Sequence, residues 1–498
     1  MSTLHIYNRS TLEKNRMASP TPNAKSRYLT LYEELKQSIL AGQLSEGERL
    51  PSSRSMADAR GLSRTTVTSA YDQLLSEGYI VSRRGSGCYV ASPLPGVDFP
   101  AALTPRAHRS GPAPALSTWG EALRRQRPLK TISPSAAIDF QYGNVDLDEK
   151  SQHIWIKSAR HWAYRQSRHY GDTLGLPALR EAISAYLQLN RACRSHPDRV
   201  VITSGGQQGF DLITRLAINP GDRVAVENPG YPRVKQLLTA LGANLIPIAV
   251  DEEGLKVEDL PQGSRAPKLV YVTPSHQFPS GCVMSLRRRL ALLEWAQAND
   301  AWIIEDDYDS EFRYCGKPIE SLQGLDHHER VIYAGTFSKV LFPALKLGYL
   351  LLPESWLEPF AFAKQIADRH SPWLEQHILA EFMQTGEFER HLRRMRKRYA
   401  MRQQTLATAL QPREGDVEIL VEGDNAGLHL VCWMPSLPLS AVSTFIEQVQ
   451  TQGVRVYPIH PFYHGEPPAA GLLLGFATLT PAEITQGVRI IKRTLREF

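Results

Sequence analysis

No apolar run in this sequence is long enough to cross a bilayer as a helix. The polar stretch from Met1 to Ser26 lacks the hydrophobic core of a secretion signal. The chain is therefore expected to be soluble and cytoplasmic, with residues 1–26 a disordered extension. Cysteine is scarce: five in 498 residues, odd in number and scattered, which argues against a disulfide framework and offers no zinc spacing. His327-His328 has no carboxylate or cysteine at ligand distance in sequence, so no metal site is expected. There is no Walker loop, no dinucleotide fingerprint, no internal repeat and no heptad pattern. A strong charge of one sign is also missing. The formal +6 permits nucleic-acid binding without arguing for it. What is there is 42% hydrophobic residues, in a chain too long for one core.

Composition divides the chain. Residues 27–91 are rich in short helical signals. Residues 92–135 carry Pro93, Pro95, Pro100, Pro105, Pro112, Pro114, Pro128 and Pro134 with little apolar periodicity, and read as a semi-rigid linker. Residues 136–498 alternate strand-like apolar runs, such as Val200–Thr203, Arg223–Val226 and Leu269–Val272, with helical stretches. That rhythm predicts an α/β domain with a mainly parallel sheet.

In the first region Leu31, Leu35 and Ile39 recur every four residues and Gly42 follows as a cap. A serine of Pro51-Ser52-Ser53 opens a second helix, which Gly61 closes. Ser63 caps a third helix whose inner face is Val67, Ala70, Tyr71, Leu74 and Leu75. This is a helix-turn-helix, with Arg64-Thr65-Thr66 at the exposed start of the recognition helix. Tyr79–Val81 and Cys88–Val90 flank Arg83-Arg84-Gly85-Ser86-Gly87 as a wing. Surface arginines are usually just solvated. Here Arg54, Arg64, Arg83 and Arg84 fall on the turn, helix start and wing, where phosphate contacts are needed.

The most informative stretch of the large region runs from Glu305-Asp306-Asp307-Tyr308 to Gly335-Thr336-Phe337-Ser338-Lys339. Each end follows an apolar run, Ala301–Ile304 or Val331–Ala334. Strand ends that present a carboxylate and a lysine flanked by hydroxyls suit pyridoxal phosphate (PLP): lysine for a Schiff base, carboxylate for the pyridine nitrogen, hydroxyls for the phosphate. Gly205-Gly206, between a strand and an apolar helix, offers amides to a phosphate. Tyr231 can place a ring after the next strand, and His276-Gln277 sit in a loop after another. Taken singly, Tyr231, His276 and Lys346 read as ordinary structural or surface residues; their order and strand-end placement give them weight.

The first region resembles the winged helix of GntR-family transcription regulators, from Leu50-Pro51-Ser52-Ser53-Arg54 through Gly61–Val67, Ala70-Tyr71 and Glu77-Gly78 to Gly85-Ser86-Gly87. The resemblance implies that Arg54, Arg64, Thr65, Thr66 and Gly85 contact DNA, with Arg84 beside them at the wing. The large region resembles fold type I PLP enzymes of the aspartate-aminotransferase-like group, with a small C-terminal α+β subdomain. Lys339 would then form the Schiff base, Asp306 would pair with the pyridine nitrogen, and Tyr308 with His276 or Gln277 would lie near the ring oxygen. Tyr231 would stack on the ring, and Gly205, Gly206, Thr336, Ser338 and Lys346 would hold the phosphate. Winged helix, linker and this domain together resemble the MocR-type branch of GntR regulators. That implies double-stranded DNA as a partner, a head-to-tail, domain-swapped homodimer, and PLP or an amino compound as effector.

Two departures shape the functional expectation. Where this group commonly carries an arginine for the substrate carboxylate stands Leu473, and Lys346 stands where an arginine commonly meets the phosphate. Arg233 matches an effector-binding arginine of a γ-aminobutyrate sensor; taken from the residues alone it reads equally as an exposed arginine opening a helix. The expectation is a PLP-dependent DNA-binding regulator, tilted toward control of vitamin B6 metabolism. The alternative is an active aminotransferase with an accessory DNA-binding domain.

Overall fold

A computed structural model describes residues 27–92, 115–125 and 137–498, apart from 166, 168, 315–318, 413–416 and 425. The extension expected over 1–26, and most of the linker expected over 92–135, lie outside the described residues. The chain forms two compact units, Met1–Ala115 and Leu116–Phe498.

In the first unit, α1 (Arg27–Leu40) buries Leu31, Tyr32, Leu35 and Ile39 along one stripe. α2 (Ser53–Arg60) starts at Ser52, whose hydroxyl accepts from Ser55 N, and stops at Gly61, left-handed with φ 62°. α3 (Arg64–Ser76) starts at Ser63, which accepts from Thr66 N, and buries Val67, Ala70, Tyr71 and Leu74. Val67, Ala70 and Leu74 have no exposed surface, so truncating Leu74 should cost about 2–5 kcal/mol. β1 (Ile80–Arg83) and β2 (Gly87–Val90) pair antiparallel, Ile80 opposite Val90. Gly85 at φ +75° and Gly87 at φ +108° turn the wing where other residues would be strained.

In the second unit a short strand, β3 (Ile138–Asp139), precedes an eight-stranded sheet. Its strands are β4 (Val200–Thr203), β5 (Arg223–Asn228), β6 (Asn244–Asp251), β7 (Gly254–Leu255), β8 (Leu269–Val272), β9 (Trp302–Asp307), β10 (Val331–Thr336) and β11 (Gly348–Leu351). They lie in the order β4-β11-β10-β9-β8-β5-β6-β7. The six strands β4, β5, β6, β8, β9 and β10 run one way; β11 opposes both neighbours, and β7 opposes β6. The sheet is covered on both faces, which is why β4, β8 and β11 are wholly buried apolar runs. Alternate residues feed different cores: Ile304 and Ile332 one, Ile303 and Val331 another. The connection from Thr336 to Gly348 is too short for a crossover helix, so β11 must return antiparallel. Lys339 sits on that connection.

β12 (Leu420–Glu422), β13 (His429–Trp433), β15 (Tyr457–Pro458) and β16 (Gly471–Gly475) form a C-terminal antiparallel sheet, while β14 (Val454–Arg455) pairs parallel with β3. The helix Pro481–Leu495 follows, opened by a Thr480–Glu483 capping box. The fold is the expected one: a winged helix, then a mainly parallel sheet with a smaller C-terminal sheet. Among the described residues no helix is long and apolar enough to cross a membrane.

Candidate functional site

The wing and the start of α3 give the first unit its candidate nucleic-acid interface. Arg54, Arg64, Thr65, Arg84 and Gly85 are exposed, and Thr66 is half-buried. The Thr65 and Thr66 hydroxyls lie 2.9 and 2.7 Å from Ser63 Oγ, so both join the helix cap. Arg64 is the first helical residue, free to project forward. Arg83 lies over the Tyr89 ring at 4.5 Å, which leaves Arg84 as the wing-tip arginine. Sequence reading passed over the exposed Arg49, whose guanidinium packs where a Cβ on Gly87 would come within 3.4 Å.

The second unit encloses a cavity of about 840 Å³ at the ends of its parallel strands. It is lined by Gly205, Gly206, Tyr231, Arg233, Asp306, Tyr308, Thr336, Ser338, Lys339 and Lys346. His276 and Gln277 stand behind that wall. His276 Nδ1 lies 2.9 Å from the Tyr308 hydroxyl and 3.0 Å from Asp309 Oδ1, while Gln277 donates to Pro229 O and Phe278 O. His276 therefore reaches the cavity through Tyr308.

The acidic triplet splits by strand periodicity. Glu305 and Asp307 face one side: Glu305 accepts from Leu322 N and Gln323 N at 2.8 Å, and Asp307 lies 2.7 Å from Arg191 Nε and accepts from the Tyr333 hydroxyl. Asp306 alone faces the cavity and accepts from the Tyr271 hydroxyl. Register explains both tyrosines. Tyr271 pairs with Ile304 and Tyr333 with Glu305, each two residues short of the carboxylate it reaches and on the same face. Burial pushes the Asp306 carboxyl up to about 7, with nearby Asp307, Glu227 and Asp309 adding to the effect and the Tyr271 bond opposing it. A carboxylate so placed favours a positively charged partner inside the cavity.

Lys339 Nζ donates to Gly143 O at 2.8 Å, and a Cβ on Gly143 would come within 2.5 Å of that nitrogen. Burial lowers the Lys339 pKa, Asp309 and Asp306 oppose the shift, and Arg233 reinforces it. The helix Gly206–Ala217 begins at Gly205 with no side-chain cap, so its first amides suit an anion. Lys346 Nζ is 3.9 Å from where a Gly205 Cβ would stand. Acid, lysine, uncapped helix start and second lysine thus share one cavity, a donor set that fits a phosphorylated pyridine aldehyde.

Leu473 does not line the cavity. It is fully buried on β16 between Val431 and Tyr457, in a cluster with Phe278, Trp433, Ile459 and Phe462. Tyr142 joins this wall with edge-on contacts to Tyr457 and Phe462, and burial lowers the His429 pKa to about 3, leaving a neutral ring. Arg233, in the first turn of the helix Pro232–Ala240, is the cation left to that side of the cavity among the described residues.

Sequence reasoning missed Tyr271, Asp309, Gly143 and Trp119. The first could be found only from register; Gly143 looks like any turn glycine. Trp119 and Leu123, four residues apart on the helix Thr118–Arg125, also line the cavity. They belong to the stretch expected to be linker, and Arg215 lies 5.5 Å from the Trp119 ring.

Comparison with known proteins agrees with this division. Residues 136–491 match the family described as aminotransferase class I and II, and residues 27–90 match bacterial regulatory proteins of the gntR family. The chain is 38% identical to the probable rhizopine catabolism regulatory protein MocR of Rhizobium meliloti, across 93% of this chain and 92% of that one. It is 32% identical to the HTH-type pyridoxine biosynthesis transcriptional regulator PdxR of Corynebacterium glutamicum, across 90% and 91%. The structure of Pyrococcus horikoshii kynurenine aminotransferase in complex with PMP superposes with a TM-score of 0.67 at 28% identity, covering 76% of this chain and 99% of that one.

Proposed function

The chain belongs to the MocR-type branch of GntR-family transcription regulators, and on that premise we propose that it binds PLP at Lys339 and reports the cofactor, or an amine that reacts with it, to DNA. The observation that carries this reading is the placement of Asp306 and Lys339 in one cavity, with an uncapped helix start and Lys346 beside them. PLP, when bound, supplies an aldehyde for amines and a protonated pyridine ring that withdraws electrons.

The chain's own groups divide the work. Asp306, oriented by Tyr271, holds a proton on the ring nitrogen. Lys339, its pKa lowered by burial, keeps a fraction of its amine neutral and able to react. Gly205, Gly206, Thr336, Ser338 and Lys346 would hold the phosphate, Tyr231 would stack on the ring, and His276 steadies Tyr308. Arg233 is the anchor for an anionic effector. Arg54, Arg64, Thr65, Thr66, Arg84 and Gly85 are the DNA contacts. Residues 27–91 are the DNA-binding domain and 136–498 the sensor. The assembly is a cytoplasmic homodimer, head-to-tail.

Leu473 favours regulation over ordinary transamination. An isobutyl group cannot orient a carboxylate, and orientation contributes much of such an enzyme's rate. It also tilts the effector toward the cofactor itself, in vitamin B6 metabolism, a tilt supported by similarity to a pyridoxine biosynthesis regulator. The test is to add PLP to the full chain, locate the borohydride-reduced adduct, and measure DNA binding with and without a panel of amines. An adduct on Lys339 and DNA affinity that changes with PLP alone are expected. A DNA response only after an amine is added would overturn the cofactor-as-signal reading; turnover of an amino acid would favour the aminotransferase.

A further inference from the structure

Beneath the lysine connection lies a buried ionic cluster that the proposed chemistry does not use. His391, on the helix Glu387–Leu410, has no exposed surface. Its Nδ1 stands 2.6 Å from Asp148 Oδ2, and its Nε2 stands 2.8 Å from the backbone oxygen of Val340, the residue after Lys339. Asp148 caps the helix Glu149–Ala163 and accepts from Ser151 Oγ at 2.6 Å. Arg394 also clasps it, with Nε 3.0 Å from Oδ1 and Nη2 3.1 Å from Oδ2. Burial alone would raise the Asp148 carboxyl, but hydrogen bonds from Arg394, Ser151 and His391 hold it well below the usual carboxylate range, so it is ionised.

A carboxylate and a carbonyl can only accept. The contact to Val340 O therefore needs a proton on Nε2, while Nδ1 faces both Asp148 Oδ2 and, at 3.0 Å, the Ser151 hydroxyl. A ring protonated on Nδ1 alone would leave Val340 O facing a lone pair and lose that hydrogen bond.

The partners make this more than a packing detail. The stretch from Gly143 to Asp148 meets the lysine connection twice. Gly143 O holds the Lys339 amine, and Asp148, through His391, holds the backbone one residue on. We propose that His391 is a positioning residue for Lys339: by donating to Val340 O it fixes the direction in which the lysine enters the cavity. The inference rests on Lys339 being the cofactor lysine only for its consequence, not for its geometry.

The decisive comparison is His391→Gln against Arg394→Gln in the full chain. The ionised Asp148 is the stronger acceptor, so a glutamine amide donates to it and leaves Val340 O without a donor. Arg394→Gln disturbs the same carboxylate without touching Val340. Two readouts apply: hydrogen exchange of residues 338–345 in the ligand-free protein, and PLP affinity from the visible absorption change. His391→Gln should speed exchange over 338–345 selectively and weaken PLP binding roughly tenfold, the effect of leaving one buried acceptor without its donor. Arg394→Gln should lower the melting temperature and leave both readouts near wild type. Equal effects from the two variants, or no selective change over 338–345 in His391→Gln, would overturn the proposal. If the wild-type chain binds no PLP, the functional reading fails while the exchange comparison still decides this one. Should His391→Gln not fold, nitrogen-15 NMR of histidine-labelled wild type substitutes: a proton on Nε2 of His391 is expected, and a ring protonated on Nδ1 alone overturns the role.

Discussion

The two units use side chains in opposite ways. In the winged helix the functional candidates, all but the half-buried Thr66, are exposed and stand on local features: a cap, the first turn of a helix and a hairpin tip. In the large unit they line a cavity, most of them half-buried, and meet because distant strands and loops come together in the fold. Arg64 follows Ser63 directly in sequence. Asp306 needs Tyr271 from a neighbouring strand, and Lys339 needs Gly143 from the start of the domain. The difference follows from the partner. DNA meets a surface, and phosphates are best met by hydrated cations already at that surface. A small molecule in a cavity must be met by groups whose charge has been tuned by removing water.

The largest effect is expected from Lys339→Ala. It should abolish the borohydride-trapped adduct completely, measured by mass spectrometry. Binding of the ligand-free protein to DNA should stay within about twofold, because the change removes no group of the winged helix. A large loss of DNA affinity would mean that the two sets of residues are not separable.

Next in size is Asp306→Asn, which should weaken PLP binding about a hundredfold, the cost of losing a buried charge-assisted hydrogen bond, while stabilising the ligand-free protein at pH 8. The carboxyl has an ordinary value of 3.8 and is raised to about 7 in the fold. Between those values the folded protein keeps a proton that the unfolded chain has lost. Stability is therefore fully present below about pH 4 and falls as pH rises to 7, by at most about 1.4 kcal/mol for each pH step of one. The asparagine should flatten that part of the melting-temperature profile; an unchanged profile would show that Asp306 does not carry it.

On the other side of the comparison, Arg64→Ala should weaken specific DNA binding by about 1–3 kcal/mol and leave PLP binding alone. Fluorescence anisotropy on an operator fragment and a cofactor titration on the same sample check both halves. The smallest effect is expected from Ser63→Ala. Losing the cap of α3 should cost about 1 kcal/mol of winged-helix stability, read by denaturant titration.

How much was legible follows the same line. Ser52, Gly61, Ser63 and the wing glycines stood out in the sequence because caps and turns are local chemistry, and α1 to α3 follow them. The strands of the large sheet were legible because burial on both faces makes them continuous apolar runs. The choice of Asp306 among three adjacent acids agrees with strand alternation. Tyr271 was not legible, since a tyrosine in an apolar strand carries no mark of which carboxylate it will reach. Nor was the inner position of His276, behind Tyr308, nor the apolar surroundings of Leu473. The helix Thr118–Arg125 was hidden among prolines, its Trp119 and Leu123 too few to make a visible pattern.

Legible in the chain alone were the order of units, the elements of the winged helix, the sheet's strands and the residues proposed to hold PLP. Those depend on periodicities and turn chemistry that act within a few residues. Only the tertiary structure decided which acid faces the cavity with Tyr271 on it, which helix start points there, and that His391 reaches beneath Lys339. Those outcomes depend on strand register and helix packing, which bring together groups as far apart in the chain as Asp148 and His391.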